Sequence, residues 1–255
     1  MTADFAVPVL MYHRIDNLTD KEKRSPLARD LTVSPDDFEA QIKLLVENDF
    51  TILTVADVQA ALLNKTELPE RAVAITMDDG YRDNFEQAFP ILKKYKVPAT
   101  IFLVGNTVEG PRHLSWANIA EMRTAGVRYG SHTMSHPDLP TLADVALDQE
   151  LVGSKKFFEA KLGESIETLA YPAGRFDDRV VDHARRAGYL TAWDKGGGPV
   201  MPGDDPFRLP RVRVNGGTSL KDFKRKVWSG HWAIKMRAES RVASADFPVD
   251  GPKKS

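Results

Sequence analysis

Short apolar segments with strand character alternate with longer amphipathic segments along most of this chain. Apolar runs over residues 7–13, 72–78 and 99–104 predict buried strands. Because neighbouring parallel strands need a long return connection, usually a helix, this alternation predicts a parallel sheet. About eight predicted strands and at least six helices, with no domain linker between them, predict one barrel-like α/β domain.

Residues 34–49 predict one of the crossover helices. Ser34, followed by a proline, has the residue type that caps a first helical turn. The helical spacing of Phe38, Ile42, Leu45 and Val46 predicts that these side chains form the face that packs on the sheet.

The composition is that of a globular protein, with 42% hydrophobic and 28% charged residues. A net charge of −1 predicts no nucleic-acid partner and no attraction to a membrane surface, and no apolar run is long enough to span a bilayer. Cysteine is absent, which excludes a disulfide framework and a thiolate metal site. The N-terminal segment lacks a basic leader, which leaves the location open: cytoplasmic for the sequence as given, and cell envelope or secreted if a leader was removed.

Periodicity along the chain predicts where the domain ends. Residues 1–240 hold all the predicted strands and helices, whereas residues 241–255 lack periodicity and are expected to form a disordered tail. Residues 16–32 and 194–206 are expected to be unusually long loops. Such loops on a compact domain are either functional rims or mobile connections.

Two adjacent carboxylates, Asp78 and Asp79, stand where the strand predicted for residues 72–78 ends. Neighbouring negative charges repel each other, and burial makes each of them more costly. They are therefore either exposed in a turn or held by a positive group such as a metal ion. Because successive strand residues point to opposite faces, one carboxylate can bind an ion while the other faces a substrate.

The segment SHTMSHP places His132 and His136 just after another predicted strand. Pro137 disfavours a helix there, so a loop is expected to bring the two imidazoles together. Two histidines and one aspartate supply the protein ligands of an open catalytic site for zinc or a related divalent ion. Either motif alone is common without a metal, but the two at strand ends of one predicted barrel favour a metal site.

The sequence AITMDDGYRDN, followed by ILKKYKVPATIFLVG, resembles the first motif of the polysaccharide deacetylases, the NodB homology family or carbohydrate esterase family four. SHTMSHP is similar to the second motif, and the resemblance extends over residues 7–214. It implies that residues 1–240 form a catalytic domain with a distorted (β/α)7-type barrel of mainly parallel strands. It also implies a hydrolase of carbon–nitrogen bonds that removes N-acetyl groups from an N-acetylglucosamine-containing glycan.

The resemblance also implies roles for the two clusters. By position, Asp79, His132 and His136 would hold a divalent metal ion, with zinc as the first candidate, and Asp78 would be the general base. An amide carbonyl is a poor electrophile and water a poor nucleophile, so this chemistry needs both a Lewis acid and a proton acceptor.

The general acid departs from the common pattern. Relatives usually carry it in a late Leu-x-x-His motif, and the segment RLPRVRV has no histidine. The early segment LMYHRI does, as in the branch that deacetylates poly-N-acetylglucosamine, so His13 is expected to be the general acid. A structural histidine at a strand end is the alternative interpretation of His13, and His183 and His231 are weaker candidates for the acid.

The third motif is altered as well. The segment LAYPAGRFDD has Ala170 where relatives carry the arginine that orients the base, and Ala173 at the usual aromatic position. Arg211 is expected to supply the missing charge, with Arg213 as the alternative.

The turn in this motif and one tryptophan are the expected substrate contacts. Tyr171 and Pro172 are expected at the edge of the cleft. Trp193 either forms an apolar wall for the acetyl methyl group or belongs to the core.

Three other functions fit part of the pattern. The altered third motif fits a deacetylase of a small amide or an acetyl ester, and loss of turnover would leave a glycan-binding module. A phosphotransferase with an aspartyl nucleophile fits the apolar strand before MDDG. Such enzymes use Asp-x-Asp, however, and the two histidines would then have no role.

Overall fold

The computed structural model describes residues 5–228, so the predicted tail and His231 lie outside the described residues. In chain order, the strands are β1 (Val9–Tyr12), β2 (Arg14–Ile15), β3 (Thr32–Val33), β4 (Thr51–Leu53), β5 (Ala72–Asp79), β6 (Ala99–Leu103), β7 (Val127–Ser131), β8 (Thr168–Ala170), β9 (Thr191–Trp193) and β10 (Val212–Arg213). The helices are α1 (Pro26–Leu31), α2 (Pro35–Glu47), α3 (Val55–Asn64), α4 (Phe89–Tyr95), α5 (Trp116–Thr124), α6 (Asp144–Leu162), α7 (Asp178–Arg186) and α8 (220–228).

The local signals explain where these helices begin. The Ser34 hydroxyl accepts a hydrogen bond from the Asp37 amide at the start of α2, as its sequence predicts. Thr54 and Asp57 cap the start of α3 reciprocally. Residues 16–32 are only partly a loop, because a short 3₁₀ turn (Glu22–Arg24) and α1 lie within them.

Eight strands of the described residues form one sheet in which neighbouring strands are parallel. Seven of them follow the order β10-β1-β5-β6-β7-β8-β9, and the eighth, β4, pairs with β5. The first half of β5 pairs with β4 and its second half with β6. Between β9 and β10, the described residues form a bridge at Trp193 and Leu209 in place of a continuous ladder. The sheet therefore curls without closing, which confirms the predicted distorted barrel.

The helices cover the sheet and bury its apolar faces. Phe38, Ile42 and Leu45 of α2 are fully buried, as predicted, but Val46 is 40% exposed. The prediction for Val46 is wrong because 3.6 residues per turn place it roughly 90° from the middle of the buried face. None of the helices in residues 5–228 combines the length and apolarity that crossing a membrane requires.

The parallel strands bring the predicted site residues to one end of the barrel. Tyr12 in β1 is level with Met77 in β5, so His13 and Asp78 follow at neighbouring positions. Asp79 is level with Leu103 in β6, which is level with Ser131 in β7. His132 follows Ser131 directly, and the site therefore assembles from the carboxyl ends of separate strands.

Candidate active site

A cavity of about 500 Å³ opens at the carboxyl ends of the strands, within the size range of small-molecule sites. Asp78, Asp79, His13, His132 and His136 all line it. Strand alternation alone would turn the two carboxylates to opposite faces. Asp79 instead has a φ of 70°, in the left-handed region, which ends the extended geometry and accompanies the placement of both carboxylates in one cavity.

Asp79, His132 and His136 form a compact group of possible metal ligands. One ligand atom from each lies within 4.8 Å of the others. The Nε2 atoms of both histidines are 3.6 Å from Asp79 Oδ1, and the rings are nearly perpendicular, at 71°. Two imidazole nitrogens and one carboxylate oxygen match the ligands of an open zinc site, so these residues fit a divalent cation.

A hydrogen bond from Nδ1 of His132 fixes the orientation of the imidazole ring. Nδ1 lies 2.7 Å from the carbonyl oxygen of Ala170, so Nδ1 carries the proton and donates it to that oxygen. This tautomer leaves the lone pair of Nε2 directed at the group of ligands. Burial lowers the pKa of His132, although Asp78 and Asp79 oppose the effect, and a neutral imidazole is the form that binds metals.

The loop between the two histidines is held from α6. The carboxylate of Glu150 accepts hydrogen bonds from the amides of Met134 and Ser135, both at 2.9 Å, and from Ser135 Oγ at 2.5 Å. The hydroxyl of Thr133 accepts from the amide of His136 at 3.0 Å. Sequence reasoning missed Glu150, since a glutamate on a helix surface carries no local sign of a distant loop.

Asp78 is paired with Arg211 in the interior of the barrel. Nη1 of Arg211 is 2.7 Å from Oδ1 and Nη2 is 2.8 Å from Oδ2. Nη1 also donates to Thr76 Oγ1, which faces the same side of β5 two residues earlier. Burial raises the pKa of Asp78, but the guanidinium of Arg211 outweighs that effect and holds this pKa well below its usual range. The carboxylate is therefore ionised at neutral pH.

Arg213, the alternative considered in the sequence, also lines the cavity, but it pairs with Asp30 and not with Asp78.

His13 lines the same cavity directly after β1. Its side chain is in a half-buried position. Burial lowers its pKa, and the charges of Asp78 and Asp79 act in the opposite direction.

His183, the weaker candidate for the acid, is far from this arrangement. It is buried between α6 and α7, where Nδ1 pairs with Asp148 at 2.6 Å. It does not line the cavity.

The expected substrate contacts fall into two groups. Tyr171 lines the cavity and its hydroxyl donates to the Phe207 carbonyl at 3.0 Å. Pro172 is buried and does not line the cavity, which is lined instead by Ala173 and Gly174 of the same turn. Trp193 is fully buried, does not line the cavity and donates from its indole to Thr168 Oγ1 at 2.6 Å. Its position is that of a core residue.

Sequence reasoning also missed an aromatic wall of the cavity. The rings of Tyr81 and His113 stack at 5.2 Å between centroids, with 20° between their planes, and both line the cavity. Tyr81 directly follows the Asp-Asp-Gly motif, which is the one signal that marked this wall.

Comparisons with known proteins agree with this geometry. The sequence model of the family described as Polysaccharide deacetylase matches residues 65–192. YxkH of Bacillus subtilis is 32% identical over 85% of this chain and 74% of its own. A poly-beta-1,6-N-acetyl-D-glucosamine N-deacetylase of Staphylococcus aureus is 28% identical over 87% of this chain and 82% of its own. The Streptococcus pyogenes deacetylase PplD, solved in complex with acetate, superposes with a TM-score of 0.83 and 27% identity over 88% of this chain and 99% of its own. This chain therefore belongs to the polysaccharide deacetylase family and is a hydrolase of that family.

Proposed function

We propose that this protein uses a divalent metal ion, with zinc as the first candidate, to remove N-acetyl groups from an N-acetylglucosamine-containing glycan. The observation that carries the proposal is the cavity in which Asp79, His132 and His136 meet beside the ion-paired Asp78. The substrate named for the Staphylococcus aureus relative supports the same class of glycan.

Asp79, His132 and His136 would hold the cation. When bound there, it supplies Lewis acidity that polarises a carbonyl and makes water more acidic. Asp78 accepts the proton of the attacking water, because its carboxylate lines the same cavity and is ionised. Arg211 holds both carboxylate oxygens and so fixes the direction from which Asp78 receives that proton.

His13 donates a proton to the departing nitrogen. An amine leaves an amide only when it is protonated, and a positioned acid accelerates such a step by about 10²–10⁴-fold. His13 lines the cavity that holds the base, so both groups can reach one bound acetamide. Burial lowers the pKa of His13, which makes its imidazolium a stronger acid.

Acetate release from N-acetylglucosamine oligomers tests the proposal. We expect release by the purified protein, its loss on chelation and its return with Zn²⁺ or another divalent ion. Asp78→Asn should abolish release while elemental analysis finds the metal content unchanged. Small acetamides and acetyl esters, assayed in parallel, identify the alternative substrates. Turnover of those compounds without any turnover of the oligomers would overturn the glycan assignment.

A further inference from the structure

Two side chains that begin the helix after β5 hold the segment that carries His13. The side-chain nitrogen Nδ2 of Asn84 donates to the His13 carbonyl at 2.9 Å. Asp83 accepts from the Ile15 amide at 3.0 Å and from Nε of Arg14 at 3.1 Å. The carbonyl of His13, the side chain of the next residue and the amide after that are therefore all fixed by Asp83 and Asn84.

The orientation of the Asn84 amide follows from its neighbours. Its nitrogen lies 2.9 Å from the His13 carbonyl and 3.1 Å from Asp83 Oδ1, and both of these atoms can only accept. The two N–H groups of the amide are thus both used. Asn84 connects the His13 segment to Asp83 in a single network.

Burial makes this network rigid and costly. Asn84 is fully buried and Asp83 is 8% exposed. The side-chain oxygen Oδ1 of Asn84 has no hydrogen-bond partner among the described residues, and a buried polar atom without a partner lowers stability. Stability alone therefore does not account for Asn84. Its contribution lies in the hydrogen bonds that Nδ2 donates to the His13 carbonyl and to Asp83.

A distortion of the helix accompanies this arrangement. Residues Asn84–Ala88 form a π-helical turn ahead of α4, in which the Phe89 amide donates to the Asn84 carbonyl. Such turns are rare and occur frequently at functional sites. The turn starts five residues after Asp79, so Asp83 and Asn84 join the segment of His13 to the segment that carries the two catalytic-site carboxylates.

We propose that Asp83 and Asn84 are positioning residues for His13, which they hold at the distance and angle needed to protonate the leaving amine. The inference rests on the proposed function, in which His13 is the general acid. Neither side chain lines the cavity, so both act through the backbone of His13 and through Arg14. Small misplacements of a reacting group cost up to about 100-fold in rate.

Leaving-group selectivity tests this role. N-Acetylglucosamine oligomers lose an amine that needs a proton, whereas an aryl acetate loses a phenolate that does not. We expect His13→Ala to lower kcat on the oligomer by about 100-fold or more, and aryl acetate hydrolysis to change little. The selectivity ratio is kcat on the oligomer divided by kcat on the aryl acetate. Asn84→Ala and the isosteric Asn84→Asp, which lacks the N–H donors, should lower this ratio by about tenfold with little change in KM.

A second readout is the basic limb of kcat against pH on the oligomer, identified as the limb that His13→Ala removes. We expect this limb to shift in both Asn84 variants. If the Asn84 variants do not accumulate as folded protein, Asp83→Asn, which weakens the contact with Arg14 and keeps the shape, serves the same test.

The matched control is Gln59→Leu. Gln59 is 6% exposed and lies away from the cavity, and its replacement by leucine also removes two hydrogen bonds, to Glu167 and Thr191. Its variant should keep the wild-type selectivity and pH profile.

The outcomes separate the inference from the proposed function. If His13→Ala lowers the selectivity ratio and the Asn84 variants keep it, the positioning role is wrong and the general acid stands. If His13→Ala affects amide and ester equally, His13 is not the general acid and the inference fails, while acetate release by the wild type still supports the deacetylase assignment. If the wild type releases no acetate, the proposed function fails and takes the inference with it.

Discussion

Arg211 meets both oxygens of Asp78 with the two ends of its guanidinium, at 2.7 and 2.8 Å. The side chains are 1% and 3% exposed. Nε of Arg211 donates to the Asp194 carbonyl at 3.0 Å, so the guanidinium itself is anchored. A planar fork of this kind holds a carboxylate in one orientation, which a lysine ammonium does not.

Arg211→Met should be costly, because removing one partner of a buried ion pair leaves the other charge uncompensated. We expect the free energy of unfolding at pH 7 to fall by about 3–5 kcal/mol. The pKa of Asp78 should rise, so the acid limb of kcat should move to higher pH. Denaturant unfolding and a pH–rate profile measure the two effects. The control Arg208→Met removes an arginine whose partners Asp178 and Asp205 are 91% and 37% exposed, and should cost less than about 1 kcal/mol. Equal losses in the two variants would contradict the buried-pair interpretation.

Asp78 should also make the protein sensitive to acid. Its pKa in the fold is below the usual range, so its stabilising effect is complete above about pH 4 and is lost as the pH falls from there towards the lowered pKa. In that window the unfolded chain takes up the proton first, which favours unfolding. Asp78→Asn removes the titration. Urea unfolding between about pH 4 and 2.5 should therefore show a flatter dependence on pH in the variant. The same slope in both proteins would show that another group dominates.

Zn²⁺ should stabilise the folded protein through Asp79, His132 and His136. A ligand at 100 times its Kd adds about 2.7 kcal/mol to the free energy of unfolding, which a thermal melt records as a higher Tm. His136→Ala removes one ligand and should weaken this response to Zn²⁺. The control is His183→Gln, because His183 is also paired with a carboxylate but lies away from the cavity. It should keep the full response, and identical responses in the two variants would place the cation elsewhere.

Two glycine-to-alanine changes should have opposite effects. A Cβ on Gly130, in β7 two residues before His132, would lie 2.6 Å from the ring of the fully buried Phe102. Gly130→Ala should therefore lower the free energy of unfolding by about 1–3 kcal/mol. Gly153 lies inside α6, where the nearest atom to an added Cβ is 3.7 Å away, so Gly153→Ala should raise stability by about 0.5–1 kcal/mol. Denaturant melts of both variants measure the difference, and a stable Gly130→Ala would refute the packing argument.

The main elements of the fold could be predicted from the sequence because their signals are local. Apolar runs mark β5 and β6, and Ser34 marks a helix start that the structure confirms. Val46 shows the limit of such signals, since its exposure depends on how α2 is rotated against the sheet.

The site was predictable to the extent that its residues are adjacent in sequence. The Asp-Asp and His-x-x-x-His pairs could be recognised from their residue types and from their positions at strand ends. Arg211 contacts Asp78 across 133 residues, so only the missing arginine at Ala170 indicated that a distant one was needed. Glu150 and His113 left no trace in the sequence, because their partners are set by the tertiary fold.

The bonds of Glu150 to the loop between His132 and His136 have a consequence for how a cation enters. Thr133 and His136 have φ values of 70° and 60°, an uncommon geometry that persists only where surrounding contacts impose it. The entropy cost of ordering the loop between His132 and His136 is therefore met when the chain folds, and the loop loses little further flexibility when a cation binds. Capture speed should then depend on how quickly the hydrated ion sheds its water, and not on any rearrangement of the polypeptide.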